Sequence, residues 1–73
     1  MRNRRSVFYN RVYGFWLNKS DQLGEGVLST TLHATQKEAM AQAREDLRRI
    51  GGGELSLHSR TTGRIYEKNS VRP

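Results

Sequence analysis

One segment of this chain carries its own start and stop signals. Thr35 and Glu38 have the spacing of a capping box, in which the threonine hydroxyl accepts from the Glu38 amide and the glutamate reaches back to the Thr35 amide. At about 100° per residue, Ala39, Met40, Ala43, Leu47 and Ile50 gather in one stripe, and Lys37, Arg44 and Arg48 gather on the far side. The run Gly51-Gly52-Gly53 then stops the helix, because glycine accepts the left-handed conformation just past the last turn. A single amphipathic helix over residues 36–50 follows, and the rest of the chain has to give its apolar stripe something to pack on.

Both flanks are rich in β-formers. Residues 6–12 and 15–19 read as a first hairpin turning at Tyr13-Gly14, and residues 23–26 as a polar loop. Residues 27–32 read as a third strand that leads into the cap. After the glycines, residues 54–59 alternate, with Leu55 and Leu57 on one face and Ser56 and His58 on the other. Gly63 supports a turn at residues 60–63. Residues 64–68 then return antiparallel as an edge strand, with Ile65 and Glu67 inward and Arg64, Tyr66 and Lys68 outward. The expected fold class is α+β: a small antiparallel sheet in the order β-β-β-α-β-β, with one helix on one face. The other face stays open to water or to a partner.

A chain of 73 residues has room for one domain and buries only about 60% of its unfolded surface. With 34% hydrophobic residues the core is thin, and small domains of this kind usually need reinforcement. There is no cysteine for a disulfide, and His33 and His58 are too few for a structural zinc cluster, so self-association is the reinforcement to expect. The domain is expected over residues 6–68, between a flexible basic tail at 1–5 and a second tail at 69–73. Asn10 and Arg11 interrupt what a secretory leader would keep apolar, and no run approaches the ~18 apolar residues of a membrane span. A cytoplasmic protein without a membrane partner is expected.

Thr35-Gln36-Lys37-Glu38-Ala39, Gly52-Gly53-Glu54-Leu55, His58, Gly63-Arg64-Ile65 and Glu67-Lys68-Asn69-Ser70 together resemble a bacterial and phage family, domain of unknown function 2188. The resemblance covers roughly the C-terminal half. Upstream, Gly14 followed by an aromatic looks like the family's Gly-Trp in its second strand, with Phe15 where tryptophan is usual; a second departure is a one-residue insertion at Thr61-Thr62. The resemblance implies a sheet with one helix and supplies no activity and no catalytic residues.

Catalytic chemistry is hard to find. A nucleophile needs a base oriented by a third group, and His58 sits mid-strand on the polar face while His33 ends a strand before the cap. Gly24-Glu25-Gly26 precedes a strand rather than a helix, and Gly51-Gly52-Gly53 follows a helix C-terminus, so neither is a phosphate loop. No enzyme activity, cofactor, metal or small-molecule substrate is expected.

Charge and the open face remain. Lys and Arg number 13 against 7 Asp and Glu, a net charge of +6, and ten of the cations are arginine, which forks onto phosphates and stacks on flat rings. If Phe15 and Leu17 point to the helix, Trp16 points away, and Val7 and Tyr9 point inward with Phe8 outward. Phe8, Trp16, His58 and Tyr66 then share the open face with Arg60, Arg64 and Lys68, an arrangement suited to stacking unpaired bases. The inverted phase of the first hairpin instead buries Trp16 as core. A second basic surface is the helix back, Lys37, Arg44 and Arg48, with Arg2, Arg4 and Arg5 of the tail. Two classes of function compete. One is a nucleic-acid-binding accessory protein using the open sheet face; the other is a homo-oligomeric or protein-binding module.

Overall fold

In the computed structural model, which describes residues 3–20 and 30–73, the elements follow the expected order. They are β1 (Arg4–Asn10), β2 (Phe15–Ser20), β3 (Thr31–His33), α1 (Gln36–Arg49), β4 (Gly53–His58) and β5 (Ile65–Val71). The loop expected at residues 23–26 and the start of the strand expected at 27–32 lie outside the described residues. One sheet holds all five strands in the order β3-β2-β1-β4-β5. It is mixed rather than antiparallel, because β1 and β4 pair in parallel at its centre. The cause is topological: β3 runs antiparallel to β2, α1 carries the chain back across the sheet, and β4 therefore starts in the same direction as β1.

The helix begins as its sequence dictates, with Thr35 Oγ1 accepting from the Glu38 amide at 3.2 Å. It ends one residue early at Arg49, and Ile50, its C-cap, is 36% exposed instead of buried. Gly51 takes φ 99° and donates to the Arg48 carbonyl at 3.3 Å, while the Gly52 amide reaches the Leu47 carbonyl at 2.6 Å. Asn3 locks this turn from the other end of the chain: its Nδ2 donates to the carbonyls of Ile50 and Gly52, each at 3.0 Å, and its own carbonyl accepts from the Glu54 amide at 2.8 Å. A Cβ on Gly53 would run into that Asn3 carbonyl, so the third glycine is required by a close backbone approach.

The tails are correspondingly shorter than expected. β1 starts at Arg4 and β5 runs to Val71, whose side chain packs against the core. That core is Val7, Trp16, Ala39, Met40, Ala43, Leu47, Leu55 and Leu57, between α1 and one face of the sheet. Among the described residues no helix is long and apolar enough to cross a membrane.

A polar cluster sits inside this interface. Arg5 Nε donates to Asn18 Oδ1 at 2.7 Å, and Asn18 Nδ2 donates to Asp46 Oδ2 at 2.8 Å and Thr31 Oγ1 at 3.0 Å. Gln42 Nε2 donates to Asp46 Oδ1 at 2.9 Å, and Arg5 Nη2 lies 3.7 Å from Asp46 Oδ2. Arg5 is thus a buried strand residue, 1% exposed, and not part of a basic tail surface. Buried charges persist when paired and hydrogen-bonded in this way, and here the pairing joins α1 to β1, β2 and β3.

Candidate functional site

Strand phase decides which side chains reach the uncovered face. The β1–β2 connection spans residues 11–14 and sets the register Phe8↔Leu17 and Tyr9↔Trp16. Asn10 holds the start of that loop by accepting from the Val12 and Tyr13 amides at 2.9 and 3.1 Å, and Gly14 closes it with φ 73°. Paired residues share a face, so Val7 and Tyr9 cannot point inward together with Phe15 and Leu17. They point inward with Trp16 and Asn18.

Trp16 is therefore core, 8% exposed, with its ring 5.3 Å from that of Tyr9. Its assignment to the open face is corrected, and Phe15 and Leu17 take its place there. A bulge at Leu57/His58 makes a similar change in β5. It pairs Ile65 with His58 on the open face and turns Tyr66 toward the helix, where its hydroxyl accepts from Gln36 Nε2 at 3.1 Å.

The open face divides into two parts. On the β2–β3 side lie Phe15, Leu17 and Leu32, an apolar strip in which Phe15 is 43% and Leu32 62% exposed. On the β1–β4 side a solvent-open cleft of about 820 Å³ runs from Ser6 and Lys19 to the turn at residues 59–63. Its floor is a pair of half-buried rings, Phe8 and His58, in edge-to-face contact with centroids 6.0 Å apart. His58 Nδ1 lies 2.9 Å from the Gly63 carbonyl. A carbonyl only accepts, so Nδ1 carries the hydrogen, and the neutral ring offers Nε2 as an acceptor.

The wall beyond His58 is built in advance. Ser59 Oγ accepts from the Thr61 and Thr62 amides at 3.2 and 3.4 Å, and the Gly63 amide returns to the Ser59 carbonyl at 2.9 Å. Arg11 crosses from the first hairpin loop and donates from Nη2 to the Arg60 and Thr61 carbonyls. The Arg60 guanidinium lies over the Tyr9 ring, 4.4 Å from its centroid. Arg11, Lys19 and Arg60 are among the residues that line the cleft, the Arg60 guanidinium resting on the helix-side ring of Tyr9, and among the described residues no carboxylate lines it.

Of the residues expected on this face, Phe8, His58 and Arg60 come together in the cleft. Arg64 is exposed in the adjoining turn, and Lys68 is exposed on β5 opposite Ser56, 3.9 Å from Glu54. Trp16 and Tyr66 belong elsewhere. Sequence reasoning missed Arg11 and Lys19, although Lys19 stands two residues from Leu17 and so shares its face. Of the second basic surface, Lys37, Arg44 and Arg48 are exposed on α1, where Glu45 lies 3.7 Å from Arg48 and 3.6 Å from Arg49. Arg4 is an exposed strand residue, and Arg2 lies outside the described residues. Among the described residues no three His, Cys, Asp or Glu side chains gather where a metal ion would sit.

A family model described as "uncharacterized protein conserved in bacteria (DUF2188)" matches residues 16–71, reaching further upstream than the C-terminal half that carries the plainest motifs. No curated protein and no solved structure matches the chain.

Proposed function

The chain belongs to the DUF2188 family of uncharacterised bacterial proteins, a membership that assigns it no activity, and we propose from the geometry of the open face that it is a non-catalytic module binding nucleic acid there. The observation that carries this reading is the cleft itself, a concave surface bordered by Arg11, Lys19 and Arg60, floored by two rings and lined by no carboxylate among the described residues. A polyanion gains from such a surface by releasing counterions, and flat rings add contacts to bases that a purely charged surface cannot make. The back of α1 has cations as well, yet one of them, Arg48, and the neighbouring Arg49 lie within ion-pair reach of Glu45. The reading goes with a cytoplasmic location and with a role as an accessory protein. Fluorescence anisotropy with labelled oligonucleotides at low and moderate salt tests it; salt-dependent binding is expected, and no binding at low salt removes it.

A second reading is favoured by one feature, the apolar strip of Phe15, Leu17 and Leu32 on the same face. Two copies facing each other there would reinforce a thin core. Sedimentation equilibrium at micromolar concentrations separates the two, since an apolar contact gives a dimer whose stability barely falls with added salt, whereas nucleic-acid binding does fall.

A further inference from the structure

Resting on the nucleic-acid reading, we propose that the ligand is single-stranded, with one unpaired base seated on the Phe8–His58 floor and its neighbouring phosphates held at Lys19 and at the Arg60 turn. Phe8 and His58 are half-buried residues of the cleft lining, and their edge-to-face contact sets one ring against the other. The turn beside them is shaped by four hydrogen bonds centred on Ser59, and Arg11 ties it to the first hairpin loop. In a duplex the base faces are already stacked inside the helix and are not offered to these rings. A single strand can turn a base out and place it on a ring, an interaction that every base offers through its π-face.

The composition of the cleft points the same way. Its lining sets Lys19 and the Arg60 turn, which can meet phosphates, beside the Phe8 and His58 rings, which can meet a base. Ser6, Ser59, Thr61 and Thr62 add polar groups beside them. Lys68, the one cation of β5, stands beside Glu54, whereas among the described residues no carboxylate lines the cleft.

The test compares labelled oligodeoxythymidylate, its ribose counterpart, a duplex of equal charge and inorganic polyphosphate, each titrated into the full chain at fixed low salt. Single strands are expected to bind at least tenfold more tightly than the duplex, and amide shifts in NMR to centre on Phe8, His58 and residues 59–63. Phe8→Leu keeps an apolar side chain but removes the ring, and is expected to weaken single-strand binding roughly 5- to 150-fold while leaving polyphosphate binding unchanged. His58→Gln serves as a second variant should the first not melt like the wild type. Equal binding of duplex and single strand, or a folded Phe8→Leu protein that binds single strands as the wild type does, overturns the single-strand assignment and leaves nucleic-acid binding standing. Failure of every oligonucleotide to bind overturns both. The ribose and deoxyribose arms distinguish RNA from DNA as the source of the unpaired base.

Discussion

Arg5 and Asp46 face each other inside the helix–sheet interface at 3.7 Å, with side chains 1% and 7% exposed. They stand 41 positions apart in the chain, and Asn18 lies between them, accepting from Arg5 and donating to Asp46. With an apolar core of eight side chains among the described residues, these three buried polar side chains make up a large part of the helix–sheet interface. The arrangement also fixes register, since a shift of β1 or β2 by one residue would send Arg5 or Asn18 to the open face.

Removing the carboxylate should therefore cost more than a surface ion pair is worth. Asp46→Ala takes away the anion facing a buried guanidinium and the acceptor for both Asn18 and Gln42, and breaking such a pair typically costs about 3–5 kcal/mol. Small domains hold little more than that in total, so the variant is expected to be largely unfolded at ambient temperature. Glu45→Ala, which touches only exposed ion pairs on α1, is expected to cost less than about 1 kcal/mol. Urea unfolding followed by circular dichroism measures both, and similar midpoints for the two variants would show that the buried pair contributes no more than a surface one.

The element order, the helix cap and the open face were legible in the sequence because each depends on local signals. Thr35 and Glu38 mark the cap within four residues, and the β4 alternation of Leu55 and Leu57 against Ser56 and His58 holds as read. The parallel pairing of β1 with β4 was not legible, since it depends on where the helix sets the chain down. Asp46 was missed although its phase is visible: it lies three residues after Ala43 and one before Leu47, a core position, just as Arg5 lies two before Val7 and Asn18 two after Trp16. Three polar residues at core phase in three elements are the signature of a buried network. A bulge, by contrast, leaves no such trace, so the exchange of Ile65 and Tyr66 between faces at Leu57/His58 appears only in three dimensions.

The phase of the first hairpin makes a direct prediction. Trp16 is in the core and Phe15 on the open face, so Trp16→Ala should destabilise by about 3–5 kcal/mol and Phe15→Ala by about 0.5 kcal/mol or less. Thermal melts rank the two. A larger loss for Phe15→Ala would mean that the hairpin is inverted and that tryptophan, not Phe8, faces the ligand.

The last prediction concerns which cations bind. If phosphates sit at the rim of the cleft, each contacting cation contributes to the salt dependence of binding, and Lys19→Gln or Arg60→Gln should each lower the slope of log affinity against log salt by about one. Arg60 leans on Tyr9 rather than on a carboxylate, so removing its charge releases no anion that would disturb the fold. Lys37, Arg44 and Arg48 are exposed on α1, which covers the opposite face of the sheet, and at physiological ionic strength charge is felt over only ~8 Å. Changing all three to alanine removes as much positive charge as the cleft rim holds, yet should leave the slope unchanged at that ionic strength. Anisotropy titrations at four salt concentrations give the slopes, and the two surfaces then separate by number rather than by total charge. Should the helix triple variant lose slope while Lys19→Gln and Arg60→Gln keep it, binding runs along the helix back and the cleft is not the interface.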